Sequence, residues 1–182
     1  MDVGVRSPKY LMNLRAILER SHQVLTEQGV SHALIGGFAL AVLGVPRATN
    51  DVDYLIEESQ KETAKKALLG AGWKIELETD EVIHLGGPGN IDVLLARRPL
   101  SQQMLKNATP LPPLGINCLS AEAIIGLKIQ AYKNDATREF QDKADIQSLI
   151  QKHGASLNWE EIKTYADLFD EMPFLEILRK RL

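Results

Sequence analysis

Three carboxylates stand where carboxylates are costly. Asp51 and Asp53 flank Val52 in Asp51-Val52-Asp53-Tyr54-Leu55-Ile56, a stretch whose apolar residues mark a strand. Side chains along a strand alternate faces, so both carboxylates project from the same one. Like charges at that spacing repel unless water screens them or a cation lies between them, and Asp is a poor strand former. Asp92 is the single charge in Ile91-Asp92-Val93-Leu94-Leu95, a second apolar strand. It needs water at a strand edge, a base such as Arg97 or Arg98, or a metal ion. A third feature is Gly36-Gly37, which follows the apolar Ala33-Leu34-Ile35. A tight turn there, between strand and helix, lets backbone N–H groups and a helix N-terminus approach a phosphate. Each feature alone has an ordinary explanation as a solvated strand end or a plain turn. Together they describe oxygen donors for one or two Mg²⁺ ions, which take carboxylates plus substrate phosphates, and a seat for a triphosphate tail.

Elements of regular spacing must position these groups. Helical periodicity runs from Tyr10 to Gln28 and stops at Gly29. Ala33–Ile35 reads as a strand, Phe38–Leu43 as a helix closed by Gly44 and Pro46, and Asp51–Ile56 as a strand. Gln60–Ala71 reads as a helix, and Trp73–Leu77, Val82–Leu85 and Ile91–Ala96 as strands, the last two joined by the turn Gly86-Gly87-Pro88-Gly89-Asn90. Arg97–Asn117, rich in Pro and polar residues, reads mainly as a connector with a short strand near Ile116-Asn117-Cys118. Ser120 is placed to cap a helix, and further helices are expected over Thr137–His153 and Asn158–Phe169. In the last of these, Asn158 and Glu161 have capping-box spacing. The expectation is an α/β (α+β) mixed sheet flanked by helices, in a core over 1–118, with a helical region over 119–182.

Composition narrows the classes. The chain has 182 residues, 45% hydrophobic and 25% charged, enough for a real core. Its formal charge of −3 argues against general nucleic-acid binding, though not against a local basic patch. One cysteine, Cys118, excludes an internal disulfide framework and a Cys-rich zinc site, and reads as a small apolar residue. No apolar run reaches the roughly 20 residues of a spanning helix, and Met1-Asp2-Val3-Gly4-Val5-Arg6 lacks the pattern of a signal peptide. The expected compartment is the cytoplasm, with no membrane partner. The four histidines are scattered; His84 lies on a strand near the carboxylates and reads as structural or surface. Tyr54 and Trp73 read as core rather than as base-stacking platforms.

The segment Leu34-Ile35-Gly36-Gly37, thirteen residues, then Asp51-Val52-Asp53-Tyr54 resembles the defining motif of the polymerase-β-type nucleotidyltransferase superfamily. Asp92 is similar to that family's third carboxylate on a neighbouring strand. Arg47-Ala48-Thr49-Asn50, and Lys128, Arg138 and Gln141-Asp142-Lys143-Ala144-Asp145-Ile146, resemble the small bacterial branch that includes AbiEii-type toxins. Two positions depart from the pattern. Gly37 offers no hydroxyl, so phosphate contact there falls to backbone N–H groups, and Gln141 stands where a base is common.

The resemblance implies the nucleotidyltransferase fold and an enzyme that moves a nucleoside monophosphate from an NTP, ATP among them, to an acceptor hydroxyl on RNA, protein or a small molecule. It implies Mg²⁺ (or Mn²⁺) on Asp51, Asp53 and Asp92, with Asp92 as acceptor-side base. Gly36, Gly37, Arg47 and Lys128 are then nucleotide-binding residues, Lys128 having a solvated helix face as its alternative. Asp142 and Asp145, three apart on one helix, read as structural partners of Arg138. A toxin role with an antitoxin partner is a further implication. A non-catalytic module that holds a nucleotide or a partner on the same fold is the competing class.

Overall fold

A computed structural model describes residues 13–113 and 115–181. Strands and helices follow one another along the described residues as a mixed α/β structure. The chain divides into two compact units, one of Met1–Ala33 with Thr49–Leu105 and one of Leu34–Ala48 with Lys106–Leu182.

The first unit is built on four strands: β2 (Asp51–Glu57), β3 (Lys74–Glu78), β4 (Val82–Gly86) and β5 (Asn90–Ala96). β2 runs parallel to β5, while β4 is antiparallel to both β5 and β3. One face is closed: Val52, Tyr54, Ile56, Ile83, Leu85, Ile91, Val93 and Leu95 are all buried. Helices α1 (Leu14–Glu27) and α3 (Lys61–Gly70) pack with this unit and bury Ile17, Leu18, Leu25, Ala64 and Leu68. Each large aliphatic side chain removed from water in this way contributes about 1.5–3 kcal/mol. The Asn13 side chain caps α1, accepting from the Ala16 N–H at 2.8 Å. The expected start of this helix, Tyr10 to Met12, lies outside the described residues.

Tyr54 and Trp73 belong to this core. The Tyr54 hydroxyl lies 2.9 Å from Ser21 Oγ and donates to the Leu18 carbonyl at 3.3 Å. Trp73 Nε1–H donates to the Gly89 carbonyl at 2.9 Å. With both polar tips bonded inside, neither ring is a base-stacking surface. The unit ends in α4 (Pro99–Lys106). Sequence reading treats that stretch as connector, but Met104 and Leu105 are buried, and packing of two side chains sustains a helix that the polar Ser101-Gln102-Gln103 conceals.

In the second unit, Leu34 of β1 (His32–Ile35) pairs in parallel with Cys118 of β7 (Ile116–Cys118), and β7 pairs with β6 (Thr109–Leu111). Helix α2 (Gly36–Val42) begins at the first glycine, two residues earlier than its apolar run suggests. Gly36 has φ +65°, the left-handed conformation that lets the strand turn at once into a helix. Four helices follow: α5 (Ala121–Asn134), α6 (Glu139–His153), α7 (Trp159–Asp167) and α8 (Met172–Arg179). Ser120 caps α5 as expected, accepting from the Ala123 N–H at 3.1 Å. At α7 only half of the capping box forms. Asn158 accepts from the Glu161 N–H, but the Asn158 N–H donates to Glu122, and the Glu161 carboxylate accepts from Tyr165 instead. No described helix is long and apolar enough to cross a membrane.

Candidate metal centre

The other face of the first unit's strands carries the half-buried carboxylates, with Leu55 buried beyond them on β2. Parallel pairing sets Asp53 opposite Asp92, and the β4–β5 hairpin sets His84 opposite Asp92 from the other side. Register partners share a face, so His84, Asp92 and Asp53 form a row across three strands. Asp51 stands two residues before Asp53 on the same face. Carboxylate oxygens of Asp51, Asp53 and Asp92 all lie within 4.8 Å of one another, and all three side chains are half-buried.

That donor set fits a hard divalent cation. Two oxygens on one Mg²⁺, each about 2.1 Å from it, lie at most about 4.2 Å apart. Side-chain rotations of about an ångström or less bring oxygens at the observed separation onto a shared ion. The three donors are oxygens with neither thiolate nor imidazole among them, which favours Mg²⁺ or Mn²⁺ over softer metals.

Neighbouring groups orient two of the three. Thr49 Oγ1 donates to Asp51 Oδ1 at 2.5 Å. His84 Nδ1 donates to Asp92 Oδ1 at 2.6 Å. The base beside Asp92 is therefore His84. Arg97 pairs instead with Glu58 at 2.8 Å and donates to the Asp80 carbonyl, and Arg98 pairs with Glu81 at 3.2 Å. Residue type alone does not mark His84 or Thr49 as part of this cluster. The signal for His84 was present: a hairpin centred on Pro88 places it opposite Asp92.

The second unit contains Gly36, Gly37, Arg47 and Lys128. Gly36 and Gly37 form the first turn of α2. Lys128 is buried, not solvated. Its Nζ donates to Asp142 Oδ1 at 2.8 Å and to Asp145 Oδ2 at 2.6 Å. Arg138 Nε donates to Asp142 Oδ2 at 3.1 Å, the pairing expected from their four-residue spacing. Arg47 Nε lies 3.4 Å from Asp145 Oδ2, and Gln141 Nε2 donates to Asp145 Oδ1 at 3.0 Å. Two buried carboxylates thus meet three cations, which is how buried charge is tolerated.

No protein-family model and no curated protein matches the chain. Solved structures do match. ANT(2'')-Ia in complex with adenylyl-2''-tobramycin superposes with a TM-score of 0.65 at 16% identity, over 86% of this chain and 96% of that one. An antigenic nucleotidyltransferase-like protein from Paracoccidioides brasiliensis gives 0.55 at 21% identity, over 91% of both chains. The lincosamide antibiotic adenylyltransferase LnuA, bound to lincomycin, gives 0.53 at 18% identity, over 72% of this chain and 93% of that one. The mixed sheet with its flanking helices is the nucleotidyltransferase fold.

Proposed function

We propose that this chain is a metal-dependent nucleotidyltransferase that moves an NMP from an NTP to an acceptor hydroxyl. One observation carries the reading: Asp51, Asp53 and Asp92 converge from two neighbouring strands onto one half-buried point. Without a cation, three carboxylates so close repel one another. The fold supports the reading, because it is shared with ANT(2'')-Ia and LnuA, whose structures hold adenylyl-2''-tobramycin and lincomycin.

Bound Mg²⁺ supplies charge neutralisation and alignment for an in-line displacement. The acceptor oxygen forms a bond to the α-phosphorus as the bond to the β-phosphate bridging oxygen breaks, and pyrophosphate leaves with the electron pair. Asp51 and Asp53 would hold the ion on the triphosphate side, and Asp92 would join them on the acceptor side and take the hydroxyl proton. Thr49 fixes the Asp51 carboxylate through its short hydrogen bond. A nucleotide contact by Gly36, Gly37 and Arg47 rests on the sequence pattern alone, as do a cytoplasmic location, a toxin role and an antitoxin partner. For Lys128, held by two carboxylates, a bracing role is the better proposal.

The experiment is transfer of α-labelled NTP to RNA, protein and small-molecule acceptor panels in Mg²⁺. Wild type should label one panel, and Asp51→Asn and Asp53→Asn should abolish labelling while keeping the wild-type circular dichroism spectrum. Labelling retained by either variant overturns the assignment. NTP binding without transfer to any panel would place the chain among nucleotide-binding modules.

A further inference from the structure

We infer that His84 is a positioning residue of the metal centre, holding the Asp92 carboxylate in its ligating orientation through Nδ1. The inference rests on the reading of Asp51, Asp53 and Asp92 as metal ligands. Three observations carry it. His84 is the register partner of Asp92 on β4, so its place beside that carboxylate is fixed by the sheet. Its Nδ1 lies 2.6 Å from Asp92 Oδ1, a short bond of the charge-assisted kind. On the far side of Asp92, in the same row, stands Asp53. The imidazole thus engages one Asp92 oxygen from the side away from its fellow ligand.

The chemistry follows from rotamer freedom. A half-buried carboxylate beside two others swings away from them when no cation is present, because like charges repel. A donor on the opposite side fixes its plane before the ion arrives. Ligating carboxylates are commonly held in this way, and loss of such a partner typically weakens metal affinity by about 10–100-fold. Thr49 makes the corresponding contact to Asp51 from its own chain segment. The device at Asp92 comes from another strand, so it depends on hairpin register as well as on residue type.

The test uses the position of the nitrogen. The Asn side-chain N–H sits one bond beyond Cγ, as Nδ1–H of His does, while the Gln N–H lies one bond further out. Mn²⁺ binding to the intact chain is followed by electron paramagnetic resonance, without nucleotide or turnover. His84→Asn should bind within about threefold of wild type, whereas His84→Gln and His84→Leu should bind at least about tenfold more weakly. Circular dichroism melts verify that each variant is folded, and Asp51→Asn serves as the ligand control. If His84→Leu binds like wild type while Asp51→Asn does not, the role of His84 is overturned and the metal centre stands. If His84→Asn is as weak as His84→Leu, the Nδ1–H bond is not the cause and the inference also falls. If wild type and Asp51→Asn bind alike, the metal-centre reading itself is wrong.

Discussion

Replacing Lys128 with Met removes the cation between two buried carboxylates and leaves a side chain of similar length. Asp142 and Asp145 have side chains only 2% and 5% exposed, and Lys128 Nζ reaches both. Breaking a buried pair by deleting one partner typically costs about 3–5 kcal/mol, because a buried charge is left uncompensated. Here the loss belongs at the lower end. Arg138 still pairs with Asp142, and Arg47 and Gln141 still reach Asp145. About 3 kcal/mol in a chain of this length lowers Tm by about 6–12 °C. Differential scanning calorimetry at pH 7 measures it. Asp142→Asn in the Lys128→Met background should recover part of the loss, since a buried carboxylate that has lost its Lys128 partner is then uncharged. A Lys128→Met Tm within about 2 °C of wild type would refute the reasoning, showing that the buried network carries no stability. A side chain used only for phosphate contact would behave in that way.

Three other outcomes follow from buried groups in the two units. Burial lowers the His32 pKa below its ordinary value of 6.5, so the folded state binds fewer protons than the unfolded state in acid. This stability is complete above about pH 6.5 and is lost as pH falls toward the folded-state pKa; denaturant melts between pH 5 and 8 should show a shallower acid loss in His32→Gln than in wild type. Tyr54→Phe deletes the hydroxyl that bonds Ser21 and the Leu18 carbonyl and should cost about 1 kcal/mol, read as a lower urea midpoint with unchanged slope. The Cys118 thiol is buried and pushed up to about 12 by desolvation, so it should resist a thiol reagent at pH 8 until denaturant opens the chain.

Much of the site was legible because strand geometry is local. Period-two alternation alone put Asp51 and Asp53 on one face, and a lone charge in an apolar strand marked Asp92. The role of His84 was not legible from residue type, because a strand histidine is ordinarily structural. Only the hairpin register shows its partner, and register is a long-range property. Lys128 shows the converse limit. From the sequence Lys128 reads as a nucleotide contact or a solvated helix residue, whereas its burial depends on Asp142 and Asp145 from the neighbouring helix α6. Helices α4 and α8 leave little trace in the sequence because each is eight residues long and buries two side chains, Met104 with Leu105 and Leu175 with Leu178. A pattern that short is carried by tertiary packing rather than by periodicity.

The most direct test of the three-carboxylate centre is thermal stability in Mg²⁺ with each of the four NTPs, for wild type and Asp53→Asn. A ligand that binds only the folded state at a hundred times its Kd adds about 2.7 kcal/mol. For a chain of this size that is a rise in Tm of about 5–11 °C. Wild type should show that rise with at least one NTP and lose most of it in EDTA, and Asp53→Asn should show little in either condition. No rise with any NTP, or an equal Mg²⁺-dependent rise in Asp53→Asn, would contradict a nucleotide-binding metal centre built on Asp51, Asp53 and Asp92.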